Sequence, residues 1–394
     1  MKAGWQIKKL CEVADVYDGP HATPKTVDAG PVFLGISALH EGLINLAETR
    51  HVTAEDFRQW TRRVRPQAND VVFSYETKLG QAAIIPDGLE CCLGRRMGLV
   101  RFREDALVPR FFLYQYLSPP FRNFLHSKIV RGATVDRISI KEFPSFPVAV
   151  PPLSEQQRIV GILDEAFKGI ATAKANAEQN LQNARALFES HLESVFSQRG
   201  KGWVEKKLRD VCAITSVLVD PRKKEFLDLI HVGAGNIESQ SGVFIELKTA
   251  REEALISGKF LFDEKMVLYS KIRPYLMKVA RPDFRGLCSA DMYPLAPIPD
   301  QITRDYLFHL LLNKDFTDYA IQGSARAGMP KVNREHLFEF KFWLPDLKTQ
   351  KQLADDLDSL AAETQRLSSI YQQKLAALDE LKKSLLHQAF SGEL

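Results

Sequence analysis

The sequence is poor in cysteine and has no long apolar run. Its five cysteines are scattered and odd in number, and no Cys-x-x-Cys pair occurs, which argues against a structural zinc site and favours a reducing cytoplasm. No stretch of about 18 apolar residues is present, so we expect neither membrane insertion nor secretion. Gly-x-x-x-x-Gly-Lys-Ser/Thr and His-Glu-x-x-His are also absent, which removes the usual signatures of ATP-driven motors and zinc hydrolases.

The bulk composition is that of an ordinary globular protein. The chain has 394 residues, of which 45% are hydrophobic and 26% charged, so two or more packed domains are expected. The formal net charge is only +4, but it is unevenly distributed. Residues 1–150 and 201–347 together carry 42 Lys and Arg against 36 Asp and Glu, whereas the rest carries 11 against 13. The positive charge therefore lies where contacts with phosphates would be needed.

An internal repeat dominates the sequence. Residues 5–10 (WQIKKL) return at 203–208 as WVEKKL, and residues 151–156 (PPLSEQ) return at 345–350 as PDLKTQ. The strand-like segment 70–74 returns at 265–270, and the motif Ser-x-Leu-x-x-x-Phe-Ser at 190–197 returns at 384–391. These matches keep the same order and a nearly constant offset of 194 to 198 residues. The sequence therefore predicts a duplicated module.

Each copy is predicted to be a mixed globule followed by a long helix. Short apolar runs at 71–75, 82–85 and 98–102 predict strands, and the apolar spacing at 111–125 and 306–321 predicts helices. The predicted fold class is α+β, with two pseudo-symmetric globular domains separated by a pair of long antiparallel coiled-coil helices. The predicted boundaries are a first domain at 1–150, a first spacer helix at 151–198, a second domain at 199–345 and a second spacer helix at 346–394.

Apolar residues at heptad spacing define the predicted seam between the two long helices. A period of 3.5 residues is typical of a coiled coil. An antiparallel pair within one chain would bury both stripes, and a coiled coil between chains is the alternative. The predicted seam positions are Ile159, Leu163, Ile170, Leu187, Leu353, Leu357, Leu360, Leu367, Leu378, Leu381 and Leu385.

The order of these motifs resembles the specificity subunit of type I restriction–modification systems. The segments that carry the resemblance are 151–160 (PPLSEQQRIV), 269–275 (YSKIRPY) and 389–394 (AFSGEL). The resemblance implies two target recognition domains, each reading half of a split site in double-stranded DNA. Because the copies have diverged between their landmarks, we expect an asymmetric site.

The resemblance also implies the partners. The helices would set the distance between the half-sites and dock modification (methyltransferase) subunits, through which restriction subunits would join. The chain itself would be non-catalytic and bind no cofactor. S-adenosylmethionine would bind to the methyltransferase subunits, and ATP and magnesium to the restriction subunits.

Candidate DNA contacts lie in the loops after the matching strands. In the second copy these are Lys271, Arg273 and Tyr275, and in the first copy Glu76 and Lys78. An arginine can bond guanine bidentately and a glutamate can accept from the cytosine amino group, while Lys and Tyr more often contact phosphate. A solvated charged loop is the alternative interpretation of both segments.

Other candidate contacts come from two further regions of each copy. In one region, small residues beside arginine fit close approach to a DNA backbone, and an ordinary connecting turn is the alternative. In the other, basic residues in a loop near the start of each copy fit phosphate contacts, and plain surface charge is the alternative. The first group is Arg131 and Arg137, matched by Arg326 and Lys331, and the second is Lys25, matched by Arg222, Lys223 and Lys224.

One motif raises an enzymatic alternative. Residues 118–121 (SPPF) match the loose Asn/Asp/Ser-Pro-Pro-aromatic pattern of amino-methyltransferases. Their counterpart at 313–316 (NKDF) lacks both prolines, and a Gly-rich turn at 232–235 lies downstream in the other module. We interpret 118–121 as a helix stop. A self-contained DNA adenine methyltransferase and a scaffold that binds only proteins stay as the competing hypotheses.

Overall fold

The computed structural model describes residues 4–20, 24–104, 106–130, 135–324 and 330–394. The chain divides into two compact units. The first unit comprises residues 1–178 and 373–394, and the second comprises residues 179–372. Each unit contains one copy of the repeated globule. Within the described part of the chain, none of the helices has the length and apolarity that a membrane span requires.

The first copy alternates short strands with short helices. Its strands are β1 (Gln6–Lys9), β2 (Ala14–Asp18), β3 (Val27–Leu34), β4 (Leu39–His40), β5 (Leu43–Ile44), β6 (Arg50–His51), β7 (Val71–Ser74), β8 (Ala82–Ile84), β9 (Cys91–Leu93), β10 (Met97–Phe102) and β11 (Pro147–Val150). Its helices are α1 (Leu10–Val13), α2 (Ala54–Trp60), α3 (Pro109–Leu117) and α4 (Pro119–Ser127). The long helix α5 (Leu153–Ser197) follows.

The second copy has a similar order of elements. Its strands are β12 (Val204–Lys207), β13 (Cys212–Ala213), β14 (Leu218–Val219), β15 (Ile230–Val232), β16 (Lys248–Thr249), β17 (Lys259–Phe262), β18 (Val267–Ser270), β19 (Val279–Ala280), β20 (Gly286–Cys288), β21 (Met292–Pro297) and β22 (Lys341–Leu344). Its helices are α6 (Arg304–Leu312), α7 (Lys314–Gln322) and α8 (Arg334–Phe338). The long helix α9 (Leu347–Ser391) follows.

The first and last strands of each globule pair with each other. β1 pairs antiparallel with β11, and β12 pairs in the same way with β22. These pairs explain the repeated WxxKKL motif, because its lysines lie in the strand and its leucine enters the core. Leu10 and Leu208 are both fully buried, and their amides donate to the Phe146 and Phe340 carbonyls at 2.9 Å.

Two larger sheets build each globule. An antiparallel sheet has the strand order β2-β10-β7-β8 in the first unit and β13-β21-β18-β19 in the second. The other sheet is β6-β3-β9 in the first unit and β14-β17-β20-β15-β16 in the second, and each contains one parallel pair. The predicted strands at 71–75, 82–85 and 98–102 correspond to β7, β8 and β10.

The helix predicted at 111–125 is two helices. Ser118 ends α3 and precedes α4, whose first turn contains Pro119 and Pro120. Proline fits the first turn of a helix, where its missing N–H would have no partner, so the motif ends one helix and begins another. In the second copy the break at Asn313 has no proline, and the Asn313 side chain caps α7 by accepting from the Asp315 amide at 2.8 Å.

A buried glutamine at the start of each long helix explains the repeated Pro-x-Leu-x-x-Gln motif. Gln156 accepts from the Val108 amide at 2.7 Å and donates to the Pro151 carbonyl at 2.8 Å. Gln350 accepts from the Thr303 amide at 2.9 Å and donates to the Pro345 carbonyl at 2.9 Å. Each glutamine thus joins the start of its long helix to the segment that leads into α3 or α6.

The two long helices run antiparallel within the first unit. Arg158 of α5 donates to the Leu394 carbonyl at 3.1 Å, and Lys174 forms an ion pair with Asp379. The residue numbers of the partners fall from the C-terminal segment into α9 as they rise along α5, which gives the antiparallel direction. In the second unit Leu192 and Val195 of α5 share a core cluster with Leu357 of α9.

The seam departs from the predicted heptads at two positions. Ile159, Leu163, Ile170 and Leu357 are buried, and Leu353, Leu360, Leu367, Leu378 and Leu385 are partly buried. The prediction is wrong for Leu187 and Leu381, which are 60% and 47% exposed. The buried positions of α5 step seven residues at Ile170, Ala177 and Ala184 and then eight residues to Leu192, because a straight helix with 3.6 residues per turn drifts away from a seven-residue repeat.

Candidate nucleic-acid interface

The loop after β7 is the first candidate surface. The Ser74 hydroxyl donates to the Glu76 carbonyl at 2.6 Å, which turns the chain directly after the strand. Glu76 then forms a β-bridge with Arg137, and the Thr77 amide donates to the Asp136 carbonyl at 3.1 Å. The structure thus brings the predicted contacts Glu76, Lys78 and Arg137 together on one surface of the first unit.

The loop after β18 repeats this arrangement in the second unit. The Ser270 hydroxyl donates to the Ile272 carbonyl at 3.2 Å. Ile272 forms a β-bridge with Lys331, and the Arg273 amide donates to the Pro330 carbonyl at 2.9 Å. The predicted contacts Lys271, Arg273 and Lys331 therefore also lie together, and we call these two surfaces the first and second loop surfaces.

Both loops hold non-glycine residues in the left-handed backbone region. Thr77 has φ 69°, Arg273 has φ 50° and Met277 has φ 48°. Such a conformation costs of order 1 kcal/mol or more, and it persists where surrounding contacts fix it. Buried Pro274 begins a short 3₁₀ turn at Pro274–Leu276, which leaves Tyr275 52% exposed beside the exposed Arg273. The loop backbone is therefore preorganised, with two exposed side chains suited to recognition.

The two loop surfaces carry charge pairs of opposite polarity. The Tyr75 amide donates to the Arg96 carbonyl at 3.2 Å, and the Lys271 amide donates to the Asp291 carbonyl at 3.1 Å, so Arg96 and Asp291 occupy equivalent positions. Arg96 forms an ion pair with Glu76 at 3.0 Å. Sequence comparison of the copies missed both residues, because the reversal of charge hides their equivalence.

Asp291 holds two lysines of the second loop surface. Its carboxylate lies 3.1 Å from the Lys331 ammonium and 3.9 Å from the Lys271 ammonium. The Lys271 ammonium also donates to the Ala290 carbonyl and lies 5.1 Å from the Tyr293 ring centroid. Burial and the neighbouring Lys331 charge lower the pKa of Lys271, although Asp291 opposes the shift. Lys271 is thus occupied by the protein, unlike exposed Arg273.

A cleft of about 330 Å³ adjoins the first loop surface. Lys78 lies on its wall and donates to the Ser37 carbonyl at 3.1 Å. Hydrogen bonds join Glu41 to Gln81 and to Arg122 on one side of this cleft. The cleft wall consists of Leu39, His40, Glu41, Thr77, Lys78, Leu79, Gln81, His126 and Asp136.

The remaining predicted contacts are not joined to the loop surfaces. Lys25, Lys223 and Lys224 are exposed, and Arg222 forms an ion pair with Asp220 at 2.8 Å. The Arg222 side chain, with its backbone amide, lowers the pKa of Asp220 to about 2. Among the described residues, none of the hydrogen bonds or ion pairs links these cations with either loop surface. The predicted contacts Arg131 and Arg326 lie outside the described residues.

Potential metal ligands do not cluster within the same described ranges. No group of three or more His, Cys, Asp and Glu side chains there is arranged to hold a metal ion. The first and second loop surfaces can bind a ligand through charge, hydrogen bonds and exposed Arg and Tyr side chains. These are the interactions of a recognition surface.

Comparison with known proteins identifies the family. The family model for the type I restriction modification DNA specificity domain matches residues 2–183 and again residues 200–375. The chain belongs to this family. The two matches confirm the predicted duplication. The chain is a DNA sequence-specificity subunit of a type I restriction–modification enzyme and not a catalytic subunit, which counts against the self-contained methyltransferase hypothesis.

Curated relatives and solved structures agree with this assignment. The specificity subunit of the type I restriction enzyme EcoDI of Escherichia coli is 30% identical over 324 residues, covering 74% of this chain and 71% of that subunit. The EcoKI specificity subunit of E. coli strain K12 is 21% identical over 359 residues, covering 85% and 76%.

The structural neighbours confirm the α+β fold. One neighbour is a chain from a structure that concerns complex assembly and conformational transition of the type I R-M system. Its TM-score is 0.75 at 17% identity, and the match covers 100% of this chain and 99% of that one. The HsdS subunit from Thermoanaerobacter tengcongensis has a TM-score of 0.60 at 18% identity, covering 100% and 98%.

Proposed function

We propose that the first and second loop surfaces each read one half of a bipartite target in double-stranded DNA. The recognition domains would be residues 1–150 and 199–345, with residues 151–198 and 346–394 as the spacer helices. The reversed charge at Arg96 and Asp291 is the observation that carries this proposal. Equivalent backbones that present opposite charges would favour different bases, so the two half-sites would differ in sequence.

Exposed Arg273 and Tyr275 are the proposed base-reading residues of the second half-site. A guanidinium can bond both acceptors of guanine in the major groove, and the tyrosine hydroxyl can bond a phosphate or a base edge. Lys271 and Lys331, held by Asp291, would contribute positive charge toward phosphates. The reading surface of the second unit would therefore center on the tip of the loop.

The first half-site would be read through a carboxylate rather than a guanidinium. Glu76 would accept from a cytosine amino group while Arg96 holds its carboxylate in place. Lys78 and Arg137 would contact phosphates, as would Lys25 in this unit and Arg222, Lys223 and Lys224 in the other. Arg131 and Arg326 are proposed as contacts from the sequence alone.

The long helices are the proposed docking surface for modification subunits. Exposed apolar side chains on them, including Leu187, Ile370 and Leu381, support a protein contact there. Restriction subunits would join through the modification subunits. S-adenosylmethionine would bind to the modification subunits, ATP and magnesium would bind to the restriction subunits, and the complex would act in the cytoplasm.

Methylome sequencing tests the proposal directly. A host would express this chain with its modification subunit, and a matched host would express the modification subunit alone. We expect methylation at an asymmetric bipartite motif that disappears without this chain. Methylation that continues unchanged in the matched host would contradict the specificity role and favour the scaffold hypothesis.

A further inference from the structure

A repeated aspartate on each long helix bonds to the recognition globule beside it. Asp164 follows buried Leu163 in α5, and Asp358 follows buried Leu357 in α9. Asp164 accepts from the Arg110 guanidinium at 2.7 Å and from the Tyr114 hydroxyl. Asp358 accepts hydrogen bonds from Arg281 and His309, which both belong to its own unit. The duplication thus preserved the acid and changed its partners.

Asp358 is held by two side chains. One carboxylate oxygen, Oδ1, lies 2.8 Å from His309 Nε2 and 2.7 Å from Arg281 Nη2, and the other, Oδ2, lies 2.9 Å from Arg281 Nη1. Arg281 Nη1 also donates to Asp305 at 2.9 Å, and the guanidinium lies 4.2 Å from the Phe308 ring centroid. A bidentate guanidinium that is also stacked on a ring has a fixed direction. We call Asp358, Arg281 and His309 the helix clamp.

The two partners of Asp358 are shielded from water, whereas the Asp358 side chain itself is 38% exposed. The His309 side chain is 1% exposed and the Arg281 side chain 21%. Burial alone would raise the pKa of Asp358, but the hydrogen bonds from His309 and Arg281 hold that pKa below its usual range. The carboxylate is therefore charged near neutral pH, and the bidentate contact is maintained there.

The helix clamp connects directly with the second loop surface. Arg281 follows β19, whose residues Val279 and Ala280 pair with Tyr269 and Leu268 of β18. β18 and β19 are the two arms of the hairpin whose tip carries Arg273 and Tyr275. A contact at Arg281 therefore fixes the base of the hairpin against α9. In the first unit the corresponding contact is made by Arg110 and Tyr114 of α3, outside the β7–β8 hairpin.

We propose that Asp358 is a positioning residue for the half-site read by the second unit. Through Arg281 it holds the β18–β19 hairpin at one orientation on α9, and this orientation sets how Arg273 and Tyr275 meet the bases. The inference rests on the proposed function, because it assumes that the second loop surface reads DNA. Asp358 itself lies on the long helix and acts only through Arg281.

The test uses the full chain assembled with its modification subunit. Methylation rates are measured for the target found by methylome sequencing and for variants with one base changed in either half-site. For Asp358→Asn we expect discrimination at the second half-site to fall about tenfold. A tenfold change corresponds to about 1.4 kcal/mol, which is of the order that a charge-assisted bidentate contact contributes. Discrimination at the first half-site should be retained. Asp355→Asn, an exposed acid on the same helix, is the matched control and should change neither half-site.

Arg281→Lys keeps the positive charge but cannot form the bidentate contact. It should reduce discrimination at the same half-site by a smaller factor, and it provides the test if Asp358→Asn does not assemble. An equal loss at both half-sites would show a general structural role and overturn the proposal, as would unchanged discrimination in either variant. A wild-type complex without a bipartite target would instead refute the proposed function, so the two failures are distinguishable.

Discussion

The two loop surfaces share the backbone contacts that close them and differ in the charge pairs that they carry. Ser74 and Ser270 make the same turn, and the bridges to Arg137 and Lys331 close both loops in the same way. The side chains around these contacts differ, with arginine at position 96 and aspartate at position 291. Duplication has thus kept the contacts that shape the loops and varied the groups that a ligand would meet. A recognition module can change its target in this way without rebuilding its scaffold.

Truncation of the buried leucine in the WxxKKL motif should give the largest effect. The loss of stability should be similar in both copies. Leu10→Ala and Leu208→Ala each empty a fully buried site, so each should lower the free energy of unfolding by about 2–5 kcal/mol. Chemical denaturation of the full chain measures this. Leu187→Ala is the control, because its side chain is 60% exposed and its loss should cost about 0.5 kcal/mol or less. A large loss in only one copy would show that the scaffolds are not equivalent.

Removal of the charge at Arg96 or at Asp291 should change DNA affinity by a smaller amount. The change should be in opposite directions for the two residues. Arg96→Gln leaves the Glu76 carboxylate unpaired, so binding to non-specific duplex DNA should weaken by about 1 kcal/mol at low salt. Asp291→Asn frees the Lys271 and Lys331 ammonium groups, so binding should strengthen by about the same amount. Fluorescence anisotropy on the assembled complex measures both.

The salt dependence provides the control for this pair of variants. The slope of log affinity against log salt should become shallower for Arg96→Gln and steeper for Asp291→Asn, each by about one unit or less. Changes of the same sign in both variants would contradict the opposite polarity of the two surfaces. An unchanged slope in both variants would show that Arg96 and Asp291 do not face the DNA.

The sequence predicted the parts of the fold that recur in it. The WxxKKL and Pro-x-Leu-x-x-Gln motifs could be found because they are structural contacts that both copies need, namely the β1–β11 and β12–β22 pairs and the Gln156 and Gln350 hydrogen bonds. The seam register at Leu187 and Leu381 failed because heptad counting ignores the drift of a straight helix.

The ion pairs of the loop surfaces could not be predicted in the same way. Glu76 and Arg96 are twenty residues apart and meet only because β7 and β10 are neighbours in one sheet. Lys271 and Asp291 meet for the same reason on β18 and β21. Sequence reasoning proposed Glu76 as a base contact and Lys271 as a DNA contact of the kind that more often meets phosphate, whereas the fold supplies each with a partner of opposite charge.

Cysteine labelling offers the mildest comparison of the two units, because it changes no contact. Cys11 is exposed, whereas Cys91, Cys92, Cys212 and Cys288 are buried. Burial raises the pKa of the Cys92 thiol to about 11 and that of Cys91 to about 12, and it raises those of Cys212 and Cys288 further. Since the thiolate is the reactive form, iodoacetamide at pH 8 should label the native chain once, at Cys11, as mass spectrometry would show.

Low concentrations of urea extend this experiment to the sheets. β9, which carries Cys91 and Cys92, is an edge strand of β6-β3-β9, whereas β20, which carries Cys288, lies between β17 and β15. An edge strand has fewer hydrogen-bonded neighbours, so it should open at a lower free energy, and the β9 cysteines should be labelled several times faster than Cys288. Equal labelling rates would mean that the two units open as one cooperative whole. Faster labelling of Cys288 would show that the additional strands of the second unit do not protect its sheet.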